Sequence, residues 1–173
     1  MSNSPFLYID EIDTENIHEC ISHTLDITKL DKELVIRYNK FPVKLPCLET
    51  KLREIFKMYY ANLGSEGYRY NIKGEMEYEL FLVITPPWTV KSWTKGIKHT
   101  SSNITNTINM HIFLNNSETM FSYFCPFKND VISLPSHKNT LVVYPDFWGS
   151  LFKHCSTFDS STVYLRCVMG LSQ

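Results

Sequence analysis

The sequence predicts an α+β protein, in which a two-sheet jelly roll of about eight strands is braced by two helices near the start of the chain. Three observations support this prediction. Helical periodicity is confined to residues 13–64. After Gly67 the pattern changes to short β-rich runs separated by turn residues. Those runs recur at the spacing of about 8–12 residues that is typical of sandwiches and barrels.

Two stretches have the period of an amphipathic helix. Ile17, Ile21 and Leu25 recur at i, i+4 and i+8, which gives one apolar face. A longer stretch from Leu48 to Leu63 follows the same period, and Gly64 supplies its stop. We therefore predict two helices ahead of the β-rich region.

The β-rich runs are short, and glycine, proline or asparagine bounds most of them. Pro145 ends one run, because proline cannot donate a hydrogen bond to a strand ladder. We predict an edge strand at residues 5–10, a further strand at 33–38, and later strands at 68–72, 76–84, 88–93, 107–114, 120–125, 131–134, 140–144 and 162–168. The chain has no visible repeat or linker, so we predict one domain over residues 1–173. Residues 1–66 form its helical support and residues 67–173 its β-sandwich core.

Composition narrows the class of protein. A formal net charge of -1 and a pI near 6.6 give no basic excess, so we expect no nucleic-acid partner. The longest apolar run, Leu80–Ile84, is too short to span a bilayer, and the first residues do not form a signal peptide, so we expect no membrane partner. The five cysteines are widely spaced without a C-x-x-C pair, which favours a reducing compartment such as the cytoplasm.

The segment from Asn139 to Arg166 has a recognisable order of elements. A turn residue precedes an apolar strand that ends at Tyr144 and Pro145, His154 follows, and a second strand carries Arg166. This order resembles the C-terminal half of the double-stranded β-helix of Fe(II)/2-oxoglutarate-dependent dioxygenases, especially the small prolyl-hydroxylase-like ones. Upstream, the run Ile112–Asn115 resembles the family's strand that ends in Tyr-Leu-Asn.

The resemblance implies a set of site residues and cofactors. His154 and His99 would be ligands of Fe(II), since this class of iron site uses two histidines and one carboxylate and leaves positions open. Arg166 would bind the distal carboxylate of 2-oxoglutarate, because a guanidinium matches a carboxylate as a two-pronged fork. Phe113 and Tyr144 would line the cosubstrate site. The implied reaction is hydroxylation of a peptide or a small molecule.

The chain departs from the family at its proximal H-x-D motif, where it has His99, Thr100 and Ser101. None of the six histidines is followed by an acidic residue two positions later. A carboxylate from elsewhere could complete the site, or His111 could join His99 and His154 in a three-histidine, cupin-like site. A halide could replace the carboxylate, as in the family's halogenases, or the metal site is lost and the fold serves binding or assembly.

Strand parity bears on two of these residues. His111 shares a face with Asn109 and Phe113, so it faces solvent or the other layer if Met110 and Ile112 form the core. For Arg166 the alternative to a ligand site is a surface arginine paired with Asp159 or Glu79.

Two functions follow from the sequence. The first is an Fe(II)/2-oxoglutarate dioxygenase-like protein without the usual carboxylate ligand. The second is a catalytically inactive jelly roll that binds protein partners or self-assembles, for instance as a structural subunit of a viral particle, in which case it would be located in the virion.

Overall fold

The computed structural model describes residues 7–15, 17, 33–37, 46–65, 75–86, 93–95, 100–101, 103–117, 119–125, 129–145, 151–156 and 161–172. Within these ranges lie one helix, α1 (Pro46–Ser65), and ten strands. The strands are β1 (Tyr8–Glu11), β2 (Leu34–Arg37), β3 (Glu75–Thr85), β4 (Thr94–Lys95), β5 (Ile104–Phe113), β6 (Thr119–Cys125), β7 (Asp130–Pro135), β8 (Thr140–Pro145), β9 (Leu151–Ser156) and β10 (Thr162–Ser172).

The ten strands form two antiparallel sheets. The larger sheet has the order β1-β8-β5-β10-β3-β2, and the smaller has the order β4-β9-β6-β7. Among the described strands from β3 to β10, each step along the chain passes from one sheet to the other, except the step from β6 to β7 within the smaller sheet. This is the double-stranded β-helix, or jelly roll, that the sequence predicts.

Helix α1 packs on the outer face of the larger sheet. Its buried residues include Leu52, Phe56 and Leu63, as the helical period predicts. Nη1 of Arg53 donates to the backbone oxygen of Met76 at 3.0 Å, which ties the helix to β3. No helix in the described part of the chain is long and apolar enough to cross a membrane.

The predicted first helix is not among the described elements, so the described residues hold one helix and not two. Glu15 and Ile17 are helical, and Ile17 is buried, but residues 18–25 lie outside the described ranges. The predicted strand at 68–72 and most of the predicted strand at 88–93 also lie outside them.

Strand β9 corrects the sequence-based prediction. The sequence predicts no strand between residues 144 and 162, whereas Leu151–Ser156 is a strand between β4 and β6. Its sequence, LFKHCS, has no β-branched residue and no strict alternation. Strand formation there depends on pairing with its two neighbours, which no local pattern reveals.

The register of the larger sheet places several ring side chains on its inner face. Arg166 pairs with His111 and Tyr164 pairs with Phe113, so these four side chains share one face. That face looks toward the smaller sheet, because the ring of Phe121 in β6 lies 5.3 Å from the ring of His111. The layer between the sheets is largely aromatic; its fully buried rings are Phe113, Phe121, Tyr123, Tyr144 and Tyr164.

The larger sheet extends beyond the smaller one on the side of β2 and β3. Val35 in β2 is 52% exposed, although its register partner Val83 in β3 is buried. The inner face is therefore open to solvent at Val35 and closed at Val83. We call the end of the inner face formed by Val35, Phe81 and Val83 the overhang.

Asn139 controls the turn between β7 and β8. Its φ is 71°, in the left-handed region that asparagine tolerates better than other non-glycine residues. Oδ1 of Asn139 accepts hydrogen bonds from the backbone nitrogen and the hydroxyl of Thr14, and its backbone oxygen accepts one from the nitrogen of Ile12. The turn thus joins the chain after β1 to the β7–β8 connection.

Asn139→Ala is expected to destabilise the protein by about 2 kcal/mol, because alanine disfavours a positive φ and removes the acceptor for Thr14. Urea unfolding measures the change. Asn139→Gly separates the two effects, since glycine keeps the conformation and loses only the side-chain bonds, and a cost of about 1 kcal/mol is expected. Equal stability of the alanine variant and the native protein would contradict this account.

Candidate functional site

The candidate site is centred on Arg166, a buried cation on the inner face. Arg166 is 8% exposed, near the middle of β10. Its Nε and Nη2 donate to Oδ1 of Asn109 at 3.3 and 3.2 Å. A buried guanidinium is costly unless it is hydrogen-bonded, so Asn109 both compensates for its burial and fixes its orientation.

Tyr144 and His111 extend this network. The hydroxyl of Tyr144 lies 2.8 Å from Nε2 of His111, and the positive charge of Arg166 acts on the same hydroxyl. The donor in the contact with His111 depends on the tautomer of the ring, and a protonated Tyr144 hydroxyl can donate to Nε2. Burial raises the pKa of Tyr144, which keeps the hydroxyl protonated for this role.

His111 is held firmly within the network. It is fully buried, as the parity argument allows when the residue faces the other layer. Its ring stacks on Tyr164 with centroids 5.1 Å apart and planes 6° apart. One ring nitrogen of His111 is thus engaged by the hydroxyl of Tyr144.

A small cavity of about 100 Å³ lies beside Arg166 and reaches the overhang. Its lining residues are Glu33, Val35, Phe81, Val83, Tyr164 and Arg166. The hydroxyl of Thr85 donates to Oε2 of Glu33 at 3.3 Å, which holds that carboxylate at the cavity. A guanidinium at the base of an apolar cavity is an arrangement that can bind a small carboxylate.

The three predicted cosubstrate residues come together on the inner face. The charge of Arg166 acts on the hydroxyl of Tyr144, and the ring of Phe113 lies 6.0 Å from the ring of Tyr164, which lines the cavity. The surface alternative for Arg166 does not fit its burial, and Glu79 pairs with Arg37 at 3.3 Å. The cosubstrate roles themselves remain predictions.

The three predicted metal ligands are only partly described. His99 lies outside the described residues, and for His154 the backbone alone is described, at the β9 position opposite Phe121. In β4, Thr94 pairs with Phe152 and Lys95 with Leu151, so β4 runs along β9 away from the position of His154. Among described residues no group of three or more His, Cys, Asp or Glu side chains could hold a metal ion. The ligand roles of His99, His154 and His111 therefore stay predictions.

Sequence reasoning missed two residues of the site. Asn109 had a usable signal, since it is a polar residue with the parity of His111 in a strand whose opposite face carries the apolar residues Ile108, Met110 and Ile112. Glu33 had none, because only the pairing of β2 with β3 brings it to Arg166.

Comparison with solved structures decides the fold. A prolyl-4-hydroxylase from Pseudomonas putida matches with a TM-score of 0.64 and 10% identity, over 97% of this chain and 94% of that one. A viral collagen prolyl hydroxylase from Paramecium Bursaria Chlorella virus-1, in its 2OG complex, matches with a TM-score of 0.65 and 7% identity, over 97% of both chains. A prolyl hydroxylase from Trichoplax adhaerens, in complex with a hypoxia inducible factor peptide fragment, matches with a TM-score of 0.61 and 8% identity. This match covers 97% of this chain and 84% of that one.

The chain has the fold of the 2-oxoglutarate-dependent oxygenases. The sequence comparisons add nothing to this assignment, since no family model and no curated protein matches the chain. The resemblance covers nearly the whole chain, so the 2-oxoglutarate oxygenase fold accounts for the helix as well as the two sheets.

Proposed function

We propose that this protein binds 2-oxoglutarate at Arg166 and acts as an Fe(II)-dependent oxygenase on a peptide or a small molecule. The observation that carries the proposal is the buried guanidinium of Arg166, oriented by Asn109 beside a cavity that opens to solvent. A peptide substrate is supported by the Trichoplax adhaerens prolyl hydroxylase, which was solved with a peptide fragment.

The described residues fit the cosubstrate better than the metal. Arg166 would pair with one carboxylate of 2-oxoglutarate, while Val35, Val83 and Phe81 would contact its methylene groups. His99 and His154 are the proposed metal ligands, and bound Fe(II) would supply the activation of O2. No described carboxylate completes that set, and the residue two positions after His99 is Ser101.

The second candidate is a binding protein that keeps the carboxylate site without catalysis. It is favoured by the missing acidic ligand and by the closed packing of His111 between Tyr144, Tyr164 and Phe121. Such a protein would bind 2-oxoglutarate or a related acid and present its outer surface to protein partners.

Anaerobic titration separates the two candidates. Addition of Fe(II) and then 2-oxoglutarate to an oxygenase is expected to produce a weak visible charge-transfer band, and 2-oxoglutarate is then consumed when O2 is admitted. His154→Ala should abolish the band, whereas His137→Ala, a change at an exposed histidine of the β7–β8 turn, should leave it intact.

The outcomes are distinct. Absence of the band in the native protein contradicts the oxygenase proposal. Metal-independent binding of 2-oxoglutarate without a band supports the binding protein, and retention of the band in His154→Ala excludes His154 as a ligand.

A further inference from the structure

The cavity beside Arg166 is bounded by two opposite charges. Glu33 and Arg166 both line it, although they are far apart in sequence: Glu33 lies immediately before β2, and Arg166 lies on β10. A cavity of about 100 Å³ has room for about three water molecules, or for a carboxylate with a short carbon segment. A ligand group that reaches Arg166 therefore also comes under the influence of Glu33.

The position of Glu33 is set by the fold. Glu33 directly precedes Leu34, which pairs with Ile84 in β3, and the Thr85 hydroxyl donates to Oε2 of Glu33. Glu33 is exposed and Arg166 is buried. The carboxylate thus lies toward the solvent end of the cavity and the guanidinium at its closed end.

Both charges act on the same hydroxyl group. Burial is the main cause that raises the pKa of Tyr164, while Arg166 lowers it and Glu33 raises it further. The opposing influence of the two residues agrees with their placement around one small space, where screening by water is weaker than at an open surface.

We propose that Glu33 determines which carboxylates bind at Arg166, favouring a ligand with a positive or hydrogen-bond-donating group next to its carboxylate over a dianion. An α-amino acid has this chemistry, since its carboxylate pairs with Arg166 and its ammonium group with Glu33. A dicarboxylate such as 2-oxoglutarate brings a second negative charge toward Glu33 and is held less tightly than Arg166 alone would allow. This inference rests on the proposed carboxylate site at Arg166 and needs no metal.

Binding titrations of the metal-free protein test the inference, with 2-oxoglutarate and L-norvaline as the two probes; L-norvaline is an α-amino acid of the same chain length without a second carboxylate. Glu33→Gln keeps the shape of the side chain and removes its charge. It is expected to tighten 2-oxoglutarate binding by about twofold to fivefold and to weaken L-norvaline binding by a similar factor, as for a partly exposed charge. Glu54→Gln is the matched control, because Glu54 is exposed on α1 at the other face of the sheet, and it should change neither affinity.

Each remaining outcome overturns a defined claim. Equal affinities in the native protein and Glu33→Gln, with binding that still requires Arg166, overturn the role of Glu33 and leave the carboxylate site. Binding that persists unchanged in Arg166→Met, which removes the cation, overturns the carboxylate site and with it the proposed function. If neither probe binds to the native protein or to Glu33→Gln, the carboxylate site and the role of Glu33 are both overturned.

Discussion

Arg166→Met is expected to weaken the binding of 2-oxoglutarate by about 100-fold or more, because it removes the cation that pairs with the ligand carboxylate. Methionine is similar in length to the arginine stem and apolar, so it fills the space beside Tyr164 without a buried charge. The free energy of unfolding should fall by only about 1–3 kcal/mol, the cost of leaving Asn109 without this donor. The variant should therefore lose most of its affinity for 2-oxoglutarate and only a small part of its stability.

Calorimetric titration and urea unfolding measure the two quantities on the same samples. Arg53→Met is the matched control, because Arg53 donates to Met76 on the outer face and lies over the ring of Tyr78. It should cost about 1 kcal/mol in stability and leave the affinity unchanged. A large loss of stability in Arg166→Met with unchanged affinity would instead assign Arg166 a purely structural role.

Phe121→Ala is expected to destabilise the protein by about 3–5 kcal/mol, the range typical of removing a buried phenylalanine ring. Phe121 is fully buried in β6 and is the ring of the smaller sheet that contacts His111, Phe113 and Tyr144 of the larger one. Its removal leaves a cavity between the sheets that this rigid aromatic layer cannot easily close.

Urea unfolding monitored by circular dichroism measures this effect. Val131→Ala on β7 is the control, since Val131 is 52% exposed and its truncation should change stability by no more than about 0.5 kcal/mol. A small cost for Phe121→Ala would mean that the two sheets are held together elsewhere.

Much of the fold was accessible from local sequence patterns. Helix α1 follows from a regular period that ends near Gly64, and β8 from an apolar run that Pro145 terminates. Strand β9 was not accessible, because LFKHCS has no strand pattern of its own and is defined by its neighbours β4 and β6. The exposure of the overhang was equally hidden, since it depends on the different widths of two sheets.

The candidate site was predictable in part. Arg166, Tyr144 and Phe113 were identified because their order along the chain resembles a known family, and the structure places them around one inner face. Asn109 and Glu33 reach Arg166 only through the sheet register and the cavity, across long separations in sequence. The roles of His99 and His154 depend on side chains outside the described part of the chain.

The central position of β10 has a consequence for biosynthesis. This strand comes last among the described strands, yet it lies between β5 and β3 and is buried almost throughout. A nascent chain that has reached Ser161 holds the larger sheet in two separate parts, β1-β8-β5 and β3-β2, with unpaired strand edges facing each other. Since ribosomes add about 5–20 residues per second, these edges stay exposed until β10 emerges, and a chaperone that shields them should raise the yield of folded protein.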